Sequence, residues 1–72
     1  MQQEKLAVGQ VVRLRRAVWF YAPGVMRKVE AGETATIVNL KPSGSIWLGK
    51  DGMHAVAQVW ELEPVAEADG AI

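Results

Sequence analysis

The segment Ser45-Ile46-Trp47-Leu48-Gly49-Lys50-Asp51-Gly52-Met53-His54-Ala55-Val56-Ala57 is two short apolar runs joined by an Asp-Gly pair. Asp-Gly between such runs is the strongest local signal for a two-residue β-hairpin, because both positions tolerate the positive φ that a tight hairpin turn demands. Two antiparallel strands, at 45–49 and 53–57, are therefore expected. Upstream, Lys41-Pro42-Ser43-Gly44 turns the chain. The turn follows Glu33-Thr34-Ala35-Thr36-Ile37-Val38-Asn39-Leu40, whose β-branched residues read as another strand after Gly32.

Further out, Gln10-Val11-Val12-Arg13-Leu14-Arg15-Arg16 alternates. Val12 and Leu14 share one face while Val11, Arg13 and Arg15 share the other, the pattern of a half-buried strand. Downstream, Gln58-Val59-Trp60 reads as a single 3₁₀ turn, and Glu61-Leu62-Glu63 as a closing strand ended by Pro64. Between Ala17 and Gly32 no period is sustained and Pro23-Gly24 interrupts the run, so a long apolar first loop is expected there. No stretch carries the spacing and cap of an amphipathic helix. The domain is placed at residues 8–65, between a flexible N-terminus (1–7) and a disordered acidic tail (66–72).

With 72 residues and no cysteine, the chain has room for one small core, with no disulfide or thiolate metal site to reinforce it. No apolar run approaches the length of a membrane span, so a soluble protein without a membrane partner is expected. The absence of disulfides in so small a domain favours the cytoplasm. Eight basic and eight acidic residues cancel, a poor start for a strongly electrostatic nucleic-acid binder. Their distribution is uneven: residues 1–28 carry a surplus of five positive charges and residues 29–72 a matching negative one.

Five short strands, a long first loop, tight later turns and a 3₁₀ turn before the last strand resemble an SH3-like small β-barrel. The resemblance rests on Val8-Gly9-Gln10-Val11-Val12-Arg13-Leu14, Ala31-Gly32-Glu33-Thr34-Ala35-Thr36-Ile37-Val38 and Trp60-Glu61-Leu62-Glu63-Pro64-Val65. An OB-like barrel would ordinarily need a longer chain. The first segment is similar to the opening strand of two ferredoxin-docking accessory subunits, the variable chain of ferredoxin-thioredoxin reductase and a photosystem I subunit. The second is similar to barrels of the KOW type, and that resemblance implies nucleic-acid binding. Plasmid-encoded type II dihydrofolate reductase has a similar length, but its Val-Gln-Ile-Tyr motif has no counterpart near Met53 to Val59. An oligomeric small-barrel enzyme is accordingly the most distant reading.

For the barrel interior the expected residues are Val12, Leu14, Ile37, Ile46 or Trp47, Leu48 and Leu62, with Trp60 at the core or its rim. Three of the five aromatic residues stand together as Trp19-Phe20-Tyr21, and neighbouring side chains of an extended segment cannot all enter one core. With Phe20 inward, Trp19 and Tyr21 face out, where aromatic residues serve as interface anchors. The expected binding residues are these two with Val25 and Met26, beside the basic residues Arg13, Arg15, Arg16, Arg27 and Lys28. A protein partner is the favoured reading and a nucleic acid the alternative.

No catalytic set, metal site or cofactor is expected. His54 is the sole histidine and has no positioned second group for acid–base work. Ser43 and Ser45 are turn residues, and the glycines at 44, 49 and 52 lack the lysine and helix of a phosphate loop. Glu61 and Glu63 are expected to oppose Arg13 and Arg15 across the sheet. The module is read as non-catalytic.

Overall fold

The computed structural model describes residues 6–65. The expected tail at 66–72 and residues 1–5 lie outside them. Seven strands run in chain order: β1 (Val11–Leu14), β2 (Val18–Ala22), β3 (Val25–Val29), β4 (Thr34–Leu40), β5 (Ile46–Lys50), β6 (Met53–Ala57) and β7 (Leu62–Pro64). A 3₁₀ turn at Val59–Glu61 precedes the last strand. All pairings are antiparallel, in one sheet of order β3-β2-β6-β5-β4-β1-β7.

The Asp51-Gly52 hairpin forms as expected, with φ of +50° and +82° at the two turn residues, and it registers Lys50 against Met53 and Trp47 against Val56. Residues 17–32 depart from expectation. In place of a long loop, β2 and β3 form a second hairpin with five registered pairs, so the sheet has seven strands and not five. Pro23 and Gly24 are its turn. Proline holds φ near −65° and Gly24 sits at +77°, the combination of a type II turn.

This sheet is curled. β1 and β2 are separated by three strands in the sheet but by only Arg15-Arg16-Ala17 in the chain. In a flat sheet they would stand about 19 Å apart at the usual strand spacing, whereas the four steps from Leu14 to Val18 span at most about 14 Å. The link from Val29 to Thr34 imposes the same bend, and it is fastened by backbone hydrogen bonds from Gly32 N to Leu14 O (2.9 Å) and from Leu14 N to Glu33 O (2.8 Å). Among the described residues no ladder joins the edge strands β3 and β7, so the curl stops short of a closed barrel.

Curling lets one face of a single sheet enclose its own core. Val12, Leu14, Phe20, Val29, Ala35, Ile37, Ile46, Leu48, Met53, Ala55, Ala57 and Leu62 form one buried cluster to which every strand contributes. Leu6, Val18 and Ala22 pack against it. Ile46 rather than Trp47 enters the core. Trp47 (39% exposed) and Trp60 (62%) both lie outside it, correcting the expectation for these rings. The reason is parity: Trp47 alternates with the buried Ile46 and Leu48. Trp60 belongs to the 3₁₀ turn, which buries none of its residues.

Candidate functional site

Alternation along β2 turns Phe20 into the core (0% exposed) and leaves Trp19 (47%) and Tyr21 (53%) on the outer face. Neighbouring strands extend that face. Met26 registers with Tyr21 and Lys28 with Trp19 across the β2–β3 hairpin, and cross-strand partners put their side chains on one side. On the other flank Tyr21 registers with His54. Val56, two residues on, registers with Trp47 of β5.

Tyr21 and His54 are the one registered pair between β2 and β6. Past it no further pair is registered, although β2 and β6 remain neighbours in the sheet. On this face lies an open groove of about 370 Å³, walled by Trp19, Tyr21, Trp47, His54 and Val56, with Val18 and Ala55 also lining it. Val18 and Ala55 belong to the core-facing parity of their strands. Most of this lining is apolar, and a concave apolar site of this size accommodates a few side chains of a ligand.

Among the described residues no carboxylate lines the groove. Its rim is cationic. Lys28 stands opposite Trp19, and Lys41 Nζ lies 4.7 Å from the centroid of the Trp47 ring, within the range of a cation–π contact.

The residues expected from sequence to make one binding surface divide into three groups. Trp19, Tyr21, Met26 and Lys28 come together as described. Val25 and Arg27 register with Ala22 and Phe20, so they belong to the opposite parity of the same hairpin. Arg27 turns to Asp51, with Nη1 3.6 Å from Oδ2. Arg13, Arg15 and Arg16 attend to the last strand. Arg15 Nε donates to Leu62 O (2.9 Å) and Arg15 N to Glu61 O (2.8 Å). Arg16 Nε lies 3.8 Å from Glu61 Oε2, with its guanidinium 6.0 Å from the Trp60 ring centroid. Arg13 registers with Glu63, the pairing expected from sequence. Arg15 stands opposite Glu61 through that backbone hydrogen bond, also as expected, while the Glu61 carboxylate pairs with Arg16.

Trp47, His54 and Val56 were not among the expected site residues. Strand parity in the sequence sets Trp47 opposite Ile46 and Leu48, and His54 and Val56 opposite Met53, Ala55 and Ala57, but in runs this apolar it does not say which face is buried. That this face meets Trp19 depends on β2 lying beside β6, a long-range pairing. Comparison of the chain with protein families, with curated proteins and with solved structures finds no match in any of the three.

Proposed function

We propose that the protein is a non-catalytic, cytoplasmic binding module, an interaction or accessory-subunit domain that docks a protein partner on the outer face of β2, β5 and β6. The observation that carries this reading is the exposure of Trp19, Tyr21 and Trp47 around one groove. Large, fairly rigid aromatic surface left in water at a concave site is what interface hot spots are made of. The SH3-like barrel belongs to the same proposal. Its support is the curl of the sheet and the 3₁₀ turn before the last strand, with the β2–β3 hairpin standing where the long first loop was expected.

A nucleic-acid-binding barrel is the competing reading, and it requires free cations. Arg15, Arg16 and Arg27 each have a partner within the chain, which weakens it. Affinity capture with tagged wild-type protein, Trp19→Ala and Tyr21→Ala tests the proposal. Loss of the captured partner by at least about 30-fold in either variant is expected for a hot spot worth about 2 kcal/mol. Unchanged binding by both folded variants refutes it. Binding to single-stranded oligonucleotides that falls steeply between low and moderate salt favours the competing reading.

A further inference from the structure

Resting on the protein-binding reading above, we infer that the groove between β2 and β6 takes an extended acidic segment of a partner protein. One aromatic or branched apolar side chain sits among Trp19, Tyr21 and Trp47, with flanking carboxylates on Lys28 and Lys41. Shape gives the first half of this assignment. The groove lies beside the single Tyr21–His54 pair, along residues 54–56 of β6, where an extended segment laid over the face turns alternate side chains inward. Its apolar lining and volume of about 370 Å³ suit one large side chain with its neighbours and are too small for a folded element.

Charge gives the second half. Lys28 and Lys41 flank the aromatic walls from two sides. Among the described residues no acid lines the groove, and Asp51 lies 3.6 Å from Arg27. Glu33 lies 3.9 Å from Lys50, and Glu61 pairs with Arg16. A cationic partner would therefore meet like charge at the rim, whereas carboxylates placed on either side of a buried apolar anchor find complementary ones. A second copy of this chain is disfavoured on the same ground, because a symmetric face-to-face contact would bring the lysine rims of both copies together. Single-stranded nucleic acid would supply stacking bases, but two rim lysines neutralise few phosphates.

Three fluorescein-labelled probes test the inference by polarisation and by shifts of the tryptophan indole N–H resonances: Glu-Asp-Trp-Asp-Glu, Lys-Arg-Trp-Arg-Lys and a ten-nucleotide oligothymidylate. The acidic peptide is expected to bind at least about 10-fold more tightly than the basic one, with indole shifts at Trp19 and Trp47. The Lys28→Glu, Lys41→Glu double variant should abolish or reverse that preference while keeping its urea midpoint. Tighter binding of the basic peptide or the oligothymidylate overturns the inference, as does a preference the double variant leaves intact, or no binding by any probe. A dimer in sedimentation that Trp19→Ala dissociates also overturns it. If the inference falls while a captured partner still depends on Trp19, the broader binding reading survives. If Trp19→Ala and Tyr21→Ala leave the captured partner bound, both fall.

Discussion

Replacing Phe20 should be far more damaging than replacing either of the aromatic residues beside it. Phe20 is wholly buried in a cluster supplied by all seven strands, and truncating a buried phenylalanine to alanine costs about 3 to 5 kcal/mol. A core of this size supplies a net stability of only ~3 to 5 kcal/mol. Phe20→Ala therefore removes essentially all of it, and the variant should be unfolded at 25 °C. Trp19 and Tyr21 are already about half exposed. Of the roughly 200 Å² such a ring can bury, about half remains to be lost, an upper bound of about 2.5 kcal/mol. The assay is urea unfolding followed by far-ultraviolet circular dichroism and tryptophan fluorescence. Phe20→Leu supplies a folded comparison and should cost less than about 1.5 kcal/mol, lowering Tm by no more than ~12 °C. If Phe20→Ala keeps a cooperative transition within about 1 kcal/mol of the parent, or if Trp19→Ala or Tyr21→Ala unfolds the protein, the assignment of inner and outer faces of β2 is wrong.

Gly52→Ala places a side chain at φ +82° and should cost about 1 to 2 kcal/mol in thermal unfolding, while Asp51→Asn, which also tolerates that turn, should be nearly neutral. Arg15→Met removes the hydrogen bond to Leu62 O and should lower stability by about 1 kcal/mol, with faster amide exchange at β7. Arg16→Ala breaks an ion pair of 3.8 Å whose arginine is largely in water, and its effect in urea should stay below about 1 kcal/mol. A Cβ on Gly49 would stand 2.9 Å from Val38 Cγ1, and the β-branched Val38 has little freedom to move. Gly49→Ala should therefore destabilise, and a double-mutant cycle with Val38→Ala should recover at least about 0.5 kcal/mol; strict additivity would remove the steric explanation.

Strands whose two faces differ in polarity were readable one residue at a time. Val12 and Leu14 alternate with Val11 and Arg13, and β1 formed where that pattern lies. The Asp51-Gly52 turn and the strand over 34–40 were equally local, resting on positive φ and on β-branched side chains. β2 was hidden because its outward residues, Trp19 and Tyr21, are as apolar as the inward Phe20, so no alternation appeared. Pro23-Gly24 then read as a break in a loop when it is the turn of a hairpin. The candidate site was half legible for the same reason. The surplus of rings at 19–21 marked an exposed aromatic face, yet charges near it in sequence went elsewhere in space: Arg27 to Asp51, and Arg15 and Arg16 to the residues leading into and forming the last strand.

By itself the amino-acid sequence determined an all-β chain, the positions of five of its strands, most of its larger core residues and an outward Trp19 and Tyr21. Each of these follows from contacts within a few residues, where side-chain parity and turn stereochemistry act. Tertiary structure alone decided that β2 pairs with β6 at Tyr21 and His54, that the sheet curls without a closing ladder among the described residues, and that Trp47 joins Trp19 at one groove. Those outcomes depend on which distant strands compete for the same edge, and only the assembled sheet resolves that competition.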